Sequence, residues 1–287
     1  MKKEEKLKKI NTIIGVNKMI KTTKEQKCKI MKAIKSDNIY GNEAVWNFLI
    51  SSILSNPLSQ KKYFQFFCND SVPITSIYDI WFESQPVSPR KDKQGHTEGR
   101  TRLDIAFGSI TSRQKIGSKQ LSKSGIQYDH QNEDEWICFI EGKFDSELSK
   151  RTAHDSSKNQ LTRVIENALC FQGKGYFPKK LYVTMLTPKA YHNNLNKNYY
   201  KKFKEYKKKP GVIIKDIESS QIKQRPSMKD WNYPNLEERI KWLTLNWISY
   251  EDIIRREYNI PDLDLTDLND MQKEFFSDKL NKIVNSL

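Results

Sequence analysis

A short apolar run that ends in two opposite charges constrains this chain most. Residues 137–143 read Ile-Cys-Phe-Ile-Glu-Gly-Lys, and a bounded run rich in Ile and Phe is typical of a buried strand. Side chains two residues apart share one face of a strand, so Glu141 and Lys143 leave the predicted sheet side by side. Placing two charges at the end of an apolar strand is costly unless they pair or bind something. The pattern therefore predicts an ion pair or a chemical site at this end of the strand.

The charge balance favours an anionic partner. The chain has 287 residues, of which 50 are Lys or Arg and 35 are Asp or Glu, so its net charge is +15. Residues 1–35 carry 12 basic and 3 acidic groups and residues 174–225 carry 14 and 3, whereas residues 36–173 carry 16 and 17. Two basic blocks around a neutral middle are what a central site with phosphate-gripping flanks would need. A compositional bias towards Lys and Asn remains the alternative.

Cysteine usage indicates a reducing compartment. The four cysteines are scattered without a C-x-x-C pair, so they are interpreted as reduced, buried thiols of a cytoplasmic protein and not as disulfides or zinc ligands. The N-terminus lacks the long apolar core of a signal peptide, and the sequence has no apolar run of bilayer-spanning length. No membrane partner is therefore expected.

The chain divides into three predicted parts. Residues 1–40 form a Lys-rich helical N-terminal arm, either a solvated packing helix or a phosphate-contacting arm. Residues 41–222 alternate strands and helices, which predicts an α/β domain with a mixed central sheet flanked by helices. Residues 223–287 are rich in Trp and Tyr and become acidic, which predicts a helical C-terminal subdomain whose aromatic residues form either a core or a recognition platform.

Two predicted elements carry acids toward residues 137–143. A helix over residues 43–54, capped by Asn42, begins with Glu43, for which favourable dipole electrostatics at a helix start is the simplest explanation. Residues 101–107 alternate as a strand with Asp104 near its beginning. If this strand pairs antiparallel with residues 136–143, its start lies opposite the end of its partner. Asp104 then lies beside Glu141.

Later elements add polar and basic side chains. A helix from about residue 159 carries Gln160 and Arg163 on one polar side, and further strands are expected at residues 181–186 and 211–217. Residues 197–209 interleave aromatic residues with seven lysines, a pattern that suits phosphate and base contacts or merely a solvated face. The candidate phosphate-contacting lysines there are Lys201, Lys202, Lys204, Lys207 and Lys208.

The sequence combines four features. An acid lies on one predicted strand, a Glu-x-Lys ends the next strand, another acid lies on an earlier helix, and a polar helix follows. This combination resembles the PD-(D/E)xK nuclease superfamily over roughly residues 40–190, which implies a restriction-endonuclease-like fold. Two positions depart from the family pattern. Leu103 stands where the family name has proline, and Val164 stands where some relatives have a tyrosine.

The resemblance implies a metal site. Asp104 and Glu141 would hold Mg²⁺ (or Mn²⁺), with the Gly142 carbonyl as a further ligand. Physical reasoning agrees, because two close carboxylates in a sheet repel each other unless a hard divalent cation bridges them. Such a cation lowers the pKa of bound water and neutralises charge on a phosphodiester. A surface ion pair of the two acids with Lys143 is the alternative.

The resemblance also implies supporting roles. Lys143 would orient the attacking water, since a free lysine is too strongly protonated to be a good base. Glu43 would assist the metal, Gln160 would contact the site, and Arg163 would contact a backbone phosphate. The structural alternatives are that Arg163 pairs with an acid on or near its own helix, Glu166 or Asp145, and that Gln160 only begins its helix.

Together these features predict a Mg²⁺-dependent endonuclease that acts on DNA and leaves a 5′-phosphate, in a restriction or host-defence role that rests on analogy alone. A homodimer is the expected assembly for cutting both strands. A non-catalytic nucleic-acid-binding protein on the same fold and an RNA-directed nuclease are the alternatives.

Overall fold

A mixed six-stranded sheet forms the centre of the protein. The computed structural model describes residues 19–35, 42–91, 101–113, 115–116, 119–120, 125–144, 155 and 158–258. Residues 1–18 of the expected basic arm and residues 259–287 of the expected C-terminal subdomain lie outside the described residues.

The strands follow one another along the chain with two small hairpins in the middle. They are β1 (Ile20–Lys21), β2 (Ile80–Ser84), β3 (Leu103–Gly108), β4 (Ile110–Ser112), β5 (Lys115–Ile116), β6 (Lys119–Gln120), β7 (Ile126–Tyr128), β8 (Trp136–Gly142), β9 (Lys180–Thr187) and β10 (Leu243–Ser249). The central sheet has the order β1-β2-β3-β8-β9-β10, and the pairs β4-β7 and β5-β6 stand apart from it.

Helices cover both faces of this sheet. They are α1 (Lys24–Lys35), α2 (Glu43–Leu54), α3 (Pro57–Cys68), α4 (Gln160–Leu169), α5 (Asn198–Lys208), α6 (Gly211–Glu218), α7 (Leu236–Arg239) and α8 (Tyr250–Tyr258), with short 3-10 turns at Lys189–Tyr191 and Ile240–Trp242. Helices α1, α2, α3 and α8 contribute to one buried apolar cluster. Helices α4 to α7 contribute to the other. The expected α/β architecture with a mixed sheet between helices is confirmed.

The strand pairing brings the predicted acids to one line. Strand β3 runs antiparallel to both of its neighbours, β2 and β8. The remaining neighbours are parallel, namely β1 with β2, β8 with β9, and β9 with β10. Ile105 lies opposite Ile140, so one step further along both strands Asp104 falls opposite Glu141. All seven residues of β8 are buried, which explains its continuous apolar run, because helices cover both of its faces.

The strand expected at residues 211–217 is wrong, since this segment forms helix α6. Its apolar run is short, and periodicity alone does not separate a short buried strand from a helical turn. Ile213 and Ile217, which lie one helical turn apart, are both fully buried. This i, i+4 pair is the apolar side of a helix that packs against α4.

The expectation of helices alone after residue 222 is wrong for Leu243–Ser249, which is strand β10 in the central sheet. Leu243, Leu245 and Trp247 alternate with Thr244 and Asn246, which is the period of a strand.

Packing also crosses the boundary predicted after residue 222. Arg90 donates to Glu166 over 2.7 Å and to the carbonyl of Ile222 over 3.1 Å, and the Tyr233 hydroxyl donates to the same carboxylate over 2.5 Å. Trp231 and Leu236 belong to the apolar cluster of α4.

Two further sequence expectations meet the structure in part. Cys68, Cys138 and Cys170 are buried free thiols, but Cys28 is exposed on α1 and so departs from the prediction of buried cysteines. In the described part of the chain, no helix combines the length and apolar character needed to cross a bilayer.

Candidate active site

Three neighbouring strands place carboxylates in one row. Phe82 of β2 lies opposite Ile105 of β3, which in turn lies opposite Ile140 of β8. The next position on each strand is an acid, namely Glu83, Asp104 and Glu141. Residues directly opposite each other on adjacent strands point to the same face, so the register that the sequence predicted for two acids extends to a third.

Lys143 lies at the centre of these acids. Its Nζ lies 2.8 Å from Glu43 Oε1, 3.0 Å from Glu141 Oε1 and 2.9 Å from the carbonyl oxygen of Gly142. Only 8% of the Lys143 side chain and 3% of the Glu141 side chain are exposed. The structure therefore brings the N-terminus of α2 to the end of β8, and the ammonium ion links two of the predicted acids.

The helix cap and a backbone N–H fix the position of Glu43. The side chain of Asn42 caps α2 by accepting from the N–H groups of Ala44 and Val45, as the sequence predicted, and this sets Glu43 at the first turn. The second carboxylate oxygen of Glu43 accepts the N–H of Phe144 over 3.3 Å.

Removal from water raises the pKa of Asp104 well above its usual range, and the charge of Glu141 raises it further. The carboxylate accepts the N–H of Gly142 over 2.8 Å, so it is held against the end of β8. Ionising Asp104 next to the carboxylate of Glu141 is therefore costly unless a cation is present. A pair of carboxylates that binds a metal ion has this property.

Lys143 keeps its proton. Burial alone would lower the pKa of Lys143, but the charges of Glu141, Asp104 and Glu43 outweigh burial and raise the pKa above its usual value. A permanently charged ammonium ion can orient a water or a phosphate by hydrogen bonding, but it cannot accept a proton.

Helix α4 reaches the site with its first residue. Asn159 caps this helix by accepting the N–H of Thr162 over 2.9 Å, and the side chain of Gln160 then donates to Glu141 Oε1. Gln160 is thus both the first helical residue and a contact of the site. The two alternatives left open from the sequence, a residue that only begins its helix and a residue that contacts the site, therefore do not exclude each other.

Gly142 allows a close approach that no other residue permits. A Cβ added at Gly142 would lie 2.2 Å from Asn47 Oδ1, and the buried hydroxyl of Tyr250 donates to the same oxygen over 3.2 Å. Sequence reasoning missed Asn47. The available signal was its position four residues after Glu43, on the same side of α2.

Glu83 is the other residue that sequence reasoning missed. It has a φ of +51° inside β2, a left-handed conformation that is uncommon for a residue with a side chain. Burial raises its pKa, the nearby Arg102 lowers it, and the charge of Glu141 raises it. The residue therefore shares the electrostatic environment of the other acids, and its only sequence signal was an acid directly after the Trp81-Phe82 pair.

Arg163 lies on α4, one turn beyond Gln160, with its side chain half-buried. The alternative pairing with Glu166 does not occur, because Arg90 and Lys158 bind that carboxylate. Asp145, the other alternative partner, lies outside the described residues. Among the described residues Arg163 forms no ion pair, and its Nε is buried without a hydrogen-bond partner.

The predicted lysines divide into two groups on α5. Lys202 pairs with Asp216 over 2.8 Å and with Glu205 over 3.1 Å, so its charge is largely engaged. Lys201, Lys204, Lys207 and Lys208 are exposed. The aromatic residues Phe203 and Tyr206 are buried in the core, so they pack the helix and do not form the stacking surface considered from the sequence.

The donor set suits a hard cation. The side-chain donors of the cluster are carboxylate oxygens, and Gly142 adds a carbonyl oxygen, which are the ligands that Mg²⁺ prefers. Within the described residues no group of three His, Cys, Asp or Glu side chains is arranged as a ready metal site. Lys143 instead neutralises the acids. Among the described residues Asp104 accepts a hydrogen bond only from the N–H of Gly142, and its pKa is raised, so it is the group that a cation would relieve most.

Comparisons of the chain with protein-family models, with curated proteins and with solved structures find no match.

Proposed function

We propose that the protein is a Mg²⁺- or Mn²⁺-dependent endonuclease that hydrolyses phosphodiester bonds of DNA. The observation that carries the proposal is the register of β3 and β8, which sets Asp104 opposite Glu141 with Lys143 bound to Glu141. A restriction-endonuclease-like fold, a restriction or host-defence role, a homodimer and a cytoplasmic location belong to the same proposal.

Asp104 and Glu141 would hold the cation, with the Gly142 carbonyl beside them. When bound, the cation supplies Lewis-acid activation of water and offsets negative charge on the scissile phosphate. The chain itself supplies the positioning. Gln160 holds one oxygen of Glu141, and the Gly142 N–H holds one oxygen of Asp104, so both carboxylates are oriented before substrate binds.

Lys143 supplies charge at a fixed place. Its raised pKa keeps it protonated, so it donates hydrogen bonds to the attacking water or to a phosphate oxygen. Glu43 positions Lys143 through the 2.8 Å contact to its Nζ. Arg163 is half-buried and would donate from the terminal nitrogens of its guanidinium group to a backbone phosphate on the same side of the site.

Cleavage of supercoiled plasmid tests this proposal directly. The wild-type chain is expected to cut with Mg²⁺ and not with EDTA, whereas Asp104→Asn and Lys143→Met are expected to lose at least about a hundredfold in rate, because each removes a group that acts on the reacting centre. Full cutting by either variant would overturn the mechanism.

Matched controls lie at the other end of β8 and of its neighbour β9. Glu135→Gln changes an acid just before β8, and Lys180→Met changes the first residue of β9, and both side chains are partly exposed. Both variants are expected to cut like the wild type. Parallel digestion of single-stranded RNA separates the DNA enzyme from an RNA-directed nuclease.

A non-catalytic nucleic-acid-binding protein is the second candidate. The engagement of Lys143 by Glu43 and Glu141 favours it, since a neutralised cluster is stable without a metal. This candidate predicts binding that falls with salt and is indifferent to Mg²⁺. Salt-sensitive binding without cutting under any divalent cation would support it against the enzyme.

A further inference from the structure

A lysine-rich cavity lies at the edge of the sheet next to the candidate active site. It has a volume of about 620 Å³, within the range of about 300–1,000 Å³ that is usual for small-molecule sites. It lies between α5, the segment after β9 and the end of β10. The lining residues that matter are Lys189, His192, Lys204, Lys207, Lys208 and Trp247.

The cavity carries a net positive charge. Lys204, Lys207 and Lys208 are exposed, and among the described residues neither Lys207 nor Lys208 forms an ion pair. Lys189 is partly offset by Asp252, whose carboxylate lies 3.5 Å from its Nζ. The carboxylate of Glu251 also lies close, because it accepts the backbone N–H of Lys189 over 2.9 Å. Four lysines against these two acids still attract an anion, and lysine is well suited to phosphate oxygens as a mobile point charge.

An oriented aromatic ring forms part of the wall. The indole N–H of Trp247 donates to Thr187 Oγ1 over 2.8 Å, and the ring packs against His192 at 4.5 Å and Phe203 at 5.2 Å between centroids. Trp247 is only half-buried. Its ring is therefore fixed in direction while part of it remains open to the cavity.

His192 adds a polar atom without a partner. Its Nε2 is buried and has no hydrogen-bond partner among the described residues, and buried polar atoms are normally satisfied. Burial and the charge of Lys189 lower the pKa of His192 to about 4, so the ring is neutral near pH 7. Because this nitrogen is closed to solvent, the ring serves the cavity as a packing partner of Trp247 and not as a contact of the ligand.

The cavity and the acids share one line across the sheet. Glu141 of β8 lies opposite Met185 of β9, and Met185 lies opposite Trp247 of β10. Trp247 and Glu141 thus face the same side of the sheet two strands apart, a separation of roughly 10 Å. A single polynucleotide strand that lies along this edge would meet both.

We propose that the cavity binds one nucleotide of a nucleic-acid strand, with the base against Trp247 and the adjacent phosphates on Lys204, Lys207 and Lys208. Its link to cleavage rests on the proposed function, because the neighbouring phosphate would then lie at the acids. Base stacking on an aromatic ring accepts any base. The same chemistry is offered by a free mononucleotide, which the experiment distinguishes.

The test measures binding in EDTA, where no cutting occurs. The full chain is titrated with a short single-stranded deoxyoligonucleotide, with the same strand carrying an abasic position at each site in turn, and with AMP. One strand of this series has its abasic position at the cavity, and the intact strand is expected to bind about tenfold more tightly than that strand. Trp247→Leu is expected to lose a similar factor, and Trp247→Phe to restore most of it.

The lysines have their own readout and control. Lys207→Gln with Lys208→Gln is expected to reduce the slope of log affinity against log salt by up to about 1.4. The control is Lys215→Gln with Lys223→Gln, which removes the same charge from exposed positions outside the cavity, and it is expected to leave the preference for the intact strand unchanged.

Equal binding of intact and abasic strands would overturn the proposal, and so would a control pair that lowers the salt slope as much as the cavity pair. AMP binding as tight as that of the strand would make the ligand a free nucleotide and overturn the strand proposal. Base-dependent binding together with no plasmid cutting would reject the nuclease and leave the cavity standing, so the two failures are distinguishable.

Discussion

Asp104 shows what an acid removed from water costs in stability. Its carboxylate is largely removed from water and faces Glu141, and both effects raise its pKa, while Lys143 lowers it and Glu43 and Glu83 raise it further. An acid whose folded-state pKa is raised binds more protons in the folded state than in the unfolded state. Its contribution to the free energy of unfolding therefore falls as pH rises from the unfolded-state pKa to the raised folded-state pKa.

Asp104→Asn is accordingly expected to stabilise the protein at pH 8 in EDTA, by about 1 kcal/mol or more, because the amide keeps an acceptor for Gly142 N–H and carries no charge. Below the ordinary Asp pKa of about 3.8 the two proteins are expected to be equally stable, since the carboxyl is then protonated in both states. Urea denaturation at pH 8 and pH 3.5 measures this. A variant less stable than the wild type at pH 8 would contradict it.

Gly142 gives a second test at the residue scale. Gly142→Ala is expected to destabilise the protein by about 1–3 kcal/mol, because the new methyl group would overlap Asn47 Oδ1. Asn47→Ala alone removes a buried hydrogen-bond partner of Tyr250 and is also destabilising. The double variant should be more stable than the sum of the two losses predicts. Additive losses in thermal unfolding would show that the two residues do not touch.

The sequence revealed some of the site residues and hid others for a physical reason. Asp104, Glu141 and Lys143 lie at strand ends, where alternation and charge are legible in a few neighbouring residues. Asn47 and Glu83 depend on contacts between elements distant in sequence, and the left-handed φ of Glu83 leaves no mark in its own residue type. Such residues are found only when the elements are placed together.

At the scale of elements, α4 is the part that most directly orients the site. Asn159→Ala removes the cap from Thr162 and the 3.0 Å hydrogen bond to the Tyr206 hydroxyl. We expect a loss of about 1–2 kcal/mol in unfolding free energy and slower cutting, because Gln160 no longer holds Glu141. Asn56→Ala, the exposed cap of α3, should cost less stability and leave cutting unchanged. Equal cutting rates for the two variants would show that the Asn159 cap does not affect the site.

The length of a pattern did not decide whether element type was predictable. Strands β3 and β8, of six and seven residues, were predicted, as were helices α2 and α4. Residues 211–217 are as short but form a helix, because a short apolar run does not separate the two periods. Residues 243–249 alternate as a strand but were assigned to a helical subdomain from their aromatic composition. Strand β10 in particular is stabilised by its parallel pairing with β9, from Leu243 opposite Leu181 onward, which is a contact between residues far apart in the chain.

At the scale of the whole molecule, charged side chains lie along one row across the strands of the sheet. The acids of β2, β3 and β8 and the lysine-lined cavity beside β9 and β10 lie on one line, with negative groups at one end and positive groups at the other. The net charge of +15 favours association with polyanions in general, and the lysines beside β9 and β10 carry positive charge at this place. The sequence predicted the acids and the lysines of residues 197–209 separately. It did not predict that strand pairing places them on the same row of the sheet.

The claim at the centre of this account is that Asp104 and Glu141 serve a divalent cation. Calorimetric titration of the full chain with Mn²⁺ at pH 8 tests it, with Asp104→Asn and Glu135→Gln alongside. The wild type and Glu135→Gln should bind Mn²⁺ and gain thermal stability as its concentration rises, whereas Asp104→Asn should bind at least about tenfold more weakly. Undiminished binding by Asp104→Asn, or no binding by the wild type, would contradict the account.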